Sequence, residues 1–221
     1  MALSDRKIME EMQAGNIIID PFKRGNLATS SYDVSLGEWY FREQKLDDEI
    51  RIYNIYSKSD MEKVWGTKPF RAKRARDIFG PAKLENIRPD DKVILLGPGE
   101  TILAHTDEFI GGKNIITTMM KARSSLGRSF ITVCKCAGWG DVGYTNRWTM
   151  EITNTSEHYT VPLVVGRRIA QMIFFYTGPI LAADYTKLGK YHTTDSQTET
   201  KKSWRPEMML PTLYKDRDIR K

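Results

Sequence analysis

Two stretches of this chain carry residue types that could bind an anion or move a proton. In KARSSLGRSF, residues 121–130, Arg123 precedes Ser124 and Ser125, and Arg128 follows closely. Serine hydroxyls and free backbone N–H groups at the start of a helical turn make an anion site. Guanidinium groups add charge-assisted donors suited to phosphate oxygens. A capped surface turn explains the same residues equally well. In CAGWGDVGYTNRWTMEITN, residues 136–154, glycines bracket Asp141 in a tight, hairpin-like turn, and the next strand carries Glu151 between Met150 and Ile152. Period-two geometry puts Glu151 on the face opposite those two apolar neighbours. A carboxylate there is costly if buried unpaired, and on composition alone a solvent-facing side chain accounts for it.

A zinc site is the obvious alternative for hydrolytic chemistry, and the residues argue against it. His105, His158 and His192 lie far apart, and the cysteines form C-K-C rather than C-x-x-C. Cys134 and Cys136 are too few for a disulfide framework. A strand over FITVCKC, residues 130–136, would turn both thiols to one face, where they pack reduced.

The elements that must position these groups are mostly strands. The runs 93–96, 101–104, 114–121, 130–136, 148–154, 160–165 and 168–176 are short and β-rich, with Gly, Pro or Asn between them. Such spacing predicts an all-β barrel, sandwich or jelly roll, and no βαβ alternation suggests a dinucleotide fold. Toward the N-terminus, Ser4 caps a helix over DRKIMEEMQA with Ile8, Met9 and Met12 on one side, and Gly15 stops it. Residues 17–19 and 30–41 read as strands. Ser59 with Glu62 reads as a capping box for a brief helix that Gly66 ends. Residues 42–92 are charged and irregular, with RAKRAR at 71–76 as a solvated run or an anion patch. The polar tail beyond Tyr191 reads as mobile.

Composition bounds the function. With 221 residues, 40% hydrophobic and 28% charged, the chain suits one globular domain. No run is apolar enough for a membrane span and the first residues lack a secretory core, so a soluble cytoplasmic protein is expected. A net charge of +6 suits a polyanion, either nucleic acid or a nucleoside triphosphate, and charge alone does not choose.

Taken in order, five segments resemble the dCTP deaminase family of the trimeric dUTPase superfamily: LSDRKI with IIIDPF, SSYDVSLG, KARSSLGR, AGWGDVGYTNRWTMEITN and GRRIAQMIFF. The resemblance implies a mainly β fold with a few short helices, a distorted barrel or jelly roll of the dUTPase-like type. It implies a single domain over 1–221, with a charged insertion at about 42–92 and a flexible C-terminal lid at about 185–221. It further implies a homotrimer with sites between subunits, no nucleic-acid or membrane partner, and Mg²⁺ held through the triphosphate of dCTP rather than by protein ligands, without zinc. Arg123, Ser124, Ser125 and Arg128 would meet the triphosphate or the reacting centre from one subunit. Asp141 and Thr149, Met150 and Glu151 would hold sugar and base from its neighbour, while Gln171, Tyr185 and Lys190 close over the phosphates. Glu151 would be the general acid/base, Arg128 its orienting cation, and Ser124 a partner of the water or amine.

Within the superfamily the first expectation is deamination of dCTP to dUTP. The alternative is a bifunctional enzyme that goes on to dUMP and pyrophosphate, suggested by an aromatic residue in Ala137-Gly138-Trp139. Asp141 sits where a dUTPase keeps the aspartate that activates water. The chain departs from the family at Gly140, at Val142 and after Lys190-Tyr191, where Gln197 comes late, so a modified cytosine is an open substrate. A non-catalytic nucleotide sensor on the same fold is the reading from another class.

Overall fold

The computed structural model describes residues 1–44, 52–181 and 197–216. The first helix, α1 (Asp5–Gln13), begins at Ser4, whose Oγ accepts the Lys7 N–H at 3.4 Å. It buries Ile8, and the chain leaves it through Gly15 at φ +79°. This end requires glycine, because the left-handed region is costly for other residues. Next come β1 (Ile17–Asp20), β2 (Leu27–Ala28) and the long β3 (Ser31–Arg42).

Residues 52–92, expected to be irregular, carry α2 (Lys58–Trp65), β4 (Phe70–Arg71), β5 (Lys73–Arg74), α3 (Ala75–Phe79) and the start of β6 (Lys92–Leu96). The cap of α2 is Ser57 rather than Ser59: its Oγ accepts the Asp60 N–H at 3.2 Å. In the RAKRAR run, Arg71 bonds Glu38 at 2.9 Å and Arg76 pairs with Asp90 at 3.0 Å.

The body is a curled, half-barrel sheet in the order β10-β8-β13-β3-β7-β11-β9, built from β7 (Thr101–Gly112), β8 (Ile116–Ala122), β9 (Ile131–Thr132), β10 (Trp139–Gly140), β11 (Thr145–Asn154) and β13 (Arg168–Tyr176). β12 (Val161–Val164) joins β6 and β5 in a second sheet. The fold is mainly β and of the expected type. The central strand is β7, which pairs β3 through its first half, β1 through its second, and β11 along its other edge. It is buried nearly throughout, as a strand covered on both faces must be.

Two expectations fail for physical reasons. Residues 130–136 do not form one strand: Phe130, Cys134 and Lys135 have φ of 65°, 62° and 41°, which a ladder does not accept. The chain leaves the sheet after Thr132 and sends Val133 and Cys134 into the core, while Cys136 is exposed, so the thiols do not share a face. The turn carrying Asp141 is not a hairpin either. β10 pairs β8 and β11 pairs β7, so the turn crosses between two parts of the curled sheet. Gly140 makes the crossing possible, since a Cβ there would lie 2.4 Å from the Trp148 ring.

The two sheets are tied by buried Asn154. Its Nδ2 donates toward the carbonyls of Leu96 and Gly97, each at 3.0 Å, and of Tyr159 at 2.7 Å, and its Oδ1 accepts the Ser156 N–H at 3.0 Å. Asn154→Ala orphans these groups and is expected to cost about 2–4 kcal/mol. At this chain length that is a fall of roughly 5–15 °C in thermal midpoint, checked by calorimetry.

Candidate active site

Along β11 the side chains alternate. Asn146, Trp148, Met150, Ile152 and Asn154 turn into the core, while Arg147, Thr149, Glu151 and Thr153 face the other way. Met150 is fully buried, so its side chain is core and only its backbone can serve a ligand. On the outer face a cavity of about 530 Å³ is lined by Glu151, Thr149 and Arg147 together with Trp139, Asp141 and Tyr144. The structure brings Asp141, Thr149 and Glu151 together within one chain.

Glu151 is half-buried, and its Oε2 is buried without a hydrogen-bond partner. Burial raises its carboxyl above the usual range, against a smaller opposing pull from its own backbone N–H and from Lys135. Within the chain Lys135, and not Arg128, is the cation acting on it. The edge of β11 beyond it is open: β9 covers only Thr153 and Asn154. Along Thr149–Ile152 alternate residues turn their N–H and C=O groups away from β7 toward that edge. A flat ring with donors and acceptors on its rim can be read there by backbone alone.

A second polar group forms at the junction of β3, β8 and β13. Its centre is Asp33, whose side chain is 6% exposed and whose Oδ2 takes Arg168 at 3.0 Å and Arg123 at 3.3 Å. Gln171 stands opposite both Asp33 and Lys121 in the ladders and donates to Ser31 Oγ at 3.3 Å. Arg123 caps the short α4 (Ser124–Gly127), so the exposed Ser124 and Ser125 offer the first N–H groups of the turn together with their hydroxyls. Arg128 is exposed at the end of the turn, with no ion pair among the described residues. The arrangement suits phosphate oxygens.

The expected residues thus fall into two groups. Arg123, Ser124, Ser125, Arg128 and Gln171 gather around Asp33, and none of them lines the Glu151 cavity. Tyr185 and Lys190 lie outside the described residues. Asp33 and Arg168 escaped the sequence reading. Both stand in quoted segments, SSYDVSLG and GRRIAQMIFF, but only the pairing of β3 with β13 makes them partners. Among the described residues no three of His, Cys, Asp and Glu gather as metal ligands, and no helix is long and apolar enough to cross a membrane.

Comparison with known proteins follows the same outline. Residues 2–177 match the family model described as dCTP deaminase-like. The chain is 29% identical over 174 residues to a protein of Hydrogenobaculum sp. (strain Y04AAS1) named "dCTP deaminase, dUMP-forming", covering 79% of this chain and 81% of that one. A protein of Acidothermus cellulolyticus with the same name is 30% identical over 179 residues, covering 80% and 81%. Among solved structures, the 2'-deoxycytidine 5'-triphosphate deaminase from Agrobacterium tumefaciens superposes with a TM-score of 0.52 at 15% identity, over 78% of this chain. The present chain spans about half of that one, 47%.

The raised carboxyl of Glu151 has a consequence for stability. A group that holds its proton more tightly when folded costs stability once the pH passes its unfolded value, and costs nothing below it. Glu151→Gln is therefore expected to melt above the wild type at pH 8. The gap should close as the pH falls toward 4.5, the ordinary value for this carboxyl. Thermal melts across pH measure it, and a pH-independent difference would contradict the assignment.

Proposed function

We propose that this chain, which belongs to the dCTP deaminase-like family, converts dCTP to dUMP, releasing ammonia and pyrophosphate. The order expected from the sequence, dUTP first and dUMP as the alternative, is reversed, because the relatives it matches are named as dUMP-forming. The observation that carries the reading is a pair of carboxylates, Glu151 and Asp141, lining one cavity beside an open strand edge.

The two steps need different bases. In the first, Glu151 takes a proton from water, the hydroxide attacks C4 of cytosine, and the proton passes to the amino group, which leaves as ammonia. A carboxyl raised by burial suits this work, since it holds the proton more tightly than an ordinary carboxylate between taking it and returning it. In the second, a water deprotonated at Asp141 attacks the α-phosphate and pyrophosphate departs. The backbone of Thr149 and Met150 reads the pyrimidine edge, and Tyr144 lies beside it on the cavity wall.

The triphosphate goes to Arg123, Ser124, Ser125, Arg128 and Gln171, with Arg168 added and Asp33 holding the two arginines. Because this group does not line the Glu151 cavity, one substrate is best accommodated between two copies, one giving the cationic group and its neighbour the carboxylates. This supports the expected homotrimer and brings Arg128 and Ser124 to Glu151 across the interface. Mg²⁺ accompanies the triphosphate and screens its charge. The donors here are arginines, serines and an amide, which suit phosphate oxygens rather than a metal. Tyr185 and Lys190 remain proposed phosphate contacts.

Incubation with dCTP and Mg²⁺ is expected to yield ammonia, dUMP and pyrophosphate in equal amounts without accumulation of dUTP, followed by chromatography. Glu151→Gln should slow ammonia release by about 10²–10⁴-fold. Mixing Glu151→Gln with Arg128→Ala after partial unfolding and reassembly should restore activity that neither has alone. Accumulating dUTP would return the simple deaminase to first place, and failure of the mixture would place the whole site in one chain.

A further inference from the structure

The Glu151 cavity has a wall that the family match does not reach. The matched stretch ends at residue 177, yet Trp204, Met208, Met209, Pro211 and Leu213 line this cavity. They belong to a C-terminal segment made of a helix, Gln197–Ser203, and two 3₁₀ turns, Pro206–Met209 and Leu213–Lys215. Expected as part of a flexible tail, it is seated on the sheet. Met209 and Leu210 are buried in a cluster with Phe41 of β3, Leu103 of β7 and Met61 of α2. Lys201 pairs with Asp20 of β1.

The anchor is Trp204. Its ring lies 4.7 Å from the His105 ring on one side, and the Arg147 guanidinium lies 4.8 Å from it on another. Arg147 is in turn 5.1 Å from the Phe109 ring. The slot is built into the body. The His105 ring occupies the space over Gly37, where a Cβ would come within 2.0 Å of it. Its Nε2 accepts the Trp39 N–H at 3.3 Å and its Nδ1 donates to the Thr106 carbonyl at 2.8 Å, so the ring is fixed and neutral. Such a stack of aromatic and cationic groups contributes about 1–2 kcal/mol per contact. A tail without a role would not need a prepared slot.

We infer that residues 197–216 form a wall of the catalytic cavity, anchored by Trp204, which presses the pyrimidine toward Glu151 and keeps bulk water from that carboxyl. Trp204 is thereby a positioning residue and a determinant of which bases fit. The inference rests on the proposed deamination. The titratable and charged groups around Glu151 are Lys135 and Cys134 on the loop after β9, Asp141 on the turn, and Arg147, Tyr144 and Tyr53 on the cavity wall. The strap residues that line the cavity carry no charge. Removing the anchor therefore changes hydration at Glu151, and because the Arg147 guanidinium packs on the same ring, Trp204→Phe is the variant that keeps a ring for it.

The test uses the full chain with Trp204→Ala, Trp204→Phe and Met208→Ala, the last a cavity-lining side chain that is 39% exposed and so not needed for folding. Trp204→Ala is expected to raise KM for dCTP by about tenfold or more, from the loss of ring contact. It should also bring the Glu151 titration, followed by carbon-13 NMR of labelled glutamate, down toward the ordinary range. Trp204→Phe should recover most of both, and Met208→Ala should raise KM by a smaller factor. Unchanged KM in folded Trp204→Ala and in Met208→Ala, or a Glu151 titration that does not move, would overturn the inference. The titration needs no turnover. A chain that never deaminates dCTP, but whose Glu151 shifts in Trp204→Ala, would keep the wall and lose the proposed reaction.

Discussion

The structure depends on β7 being shared, and on two irregularities that the sharing imposes. Opposite Trp148 of β11, β7 spends three residues, 106–108, where one would do. Opposite His105, β3 spends three residues, 37–39, in the same way. Thr106 repairs the first break: its Oγ1 accepts the Trp148 N–H at 2.9 Å and donates to the Glu108 carbonyl at 2.7 Å. Glu108, fully buried, accepts the Ser35 N–H at 2.8 Å across the β3 edge. Bulges of this kind bend a strand and re-aim side chains. Here they let one strand curl the sheet and still place Glu151 opposite Leu103 with its face to the cavity.

That placement has a cost that a purely structural strand would not bear. A valine or isoleucine at position 151 would keep the ladder without an unpartnered buried oxygen. The cost is contained because the neighbours on the strand, Met150 and Ile152, are fully buried and pack the opposite face. Strand stability is supplied on one side, and the carboxylate faces the cavity on the other. The cationic group follows the same logic with opposite sign. Asp33 is buried, but two arginines share it, so the group keeps a net positive charge for an anion while its centre stays paired.

Much of this was legible in sequence order. The caps at Ser4 and Gly15, the strand 168–176 and the alternation that isolates Glu151 follow from local rules, and the structure agrees residue for residue or nearly so. Other features depend on pairing that no local rule contains. The 130–136 run has strand composition, but Val133 and Cys134 gain more from core burial beside Met120 than from a ladder. The turn at Asp141 carries hairpin glycines, yet its flanking strands pair elsewhere. Gly140 carries no side chain where the Trp148 ring occupies the space that one would need. Asp33 and Arg168 lie 135 positions apart, and only the β3–β13 ladder brings them together.

The two carboxylates of the cavity are held in unlike surroundings, as the two proposed steps would require. Glu151 sits on a strand, half-buried, with its proton affinity raised by burial. Asp141 sits on an exposed turn, fixed by the Tyr144 N–H bond to its carbonyl at 3.0 Å. A site that must take a proton from water and return it to an amine gains from the first environment. The proposed attack on a phosphate would use the second, where the side chain is open to solvent. The turn between β10 and β11 connects the two, so the crossing that Gly140 permits is also what lets both groups line one cavity. Trp204, Met208, Met209, Pro211 and Leu213 then supply an apolar side of the cavity from outside the sheet.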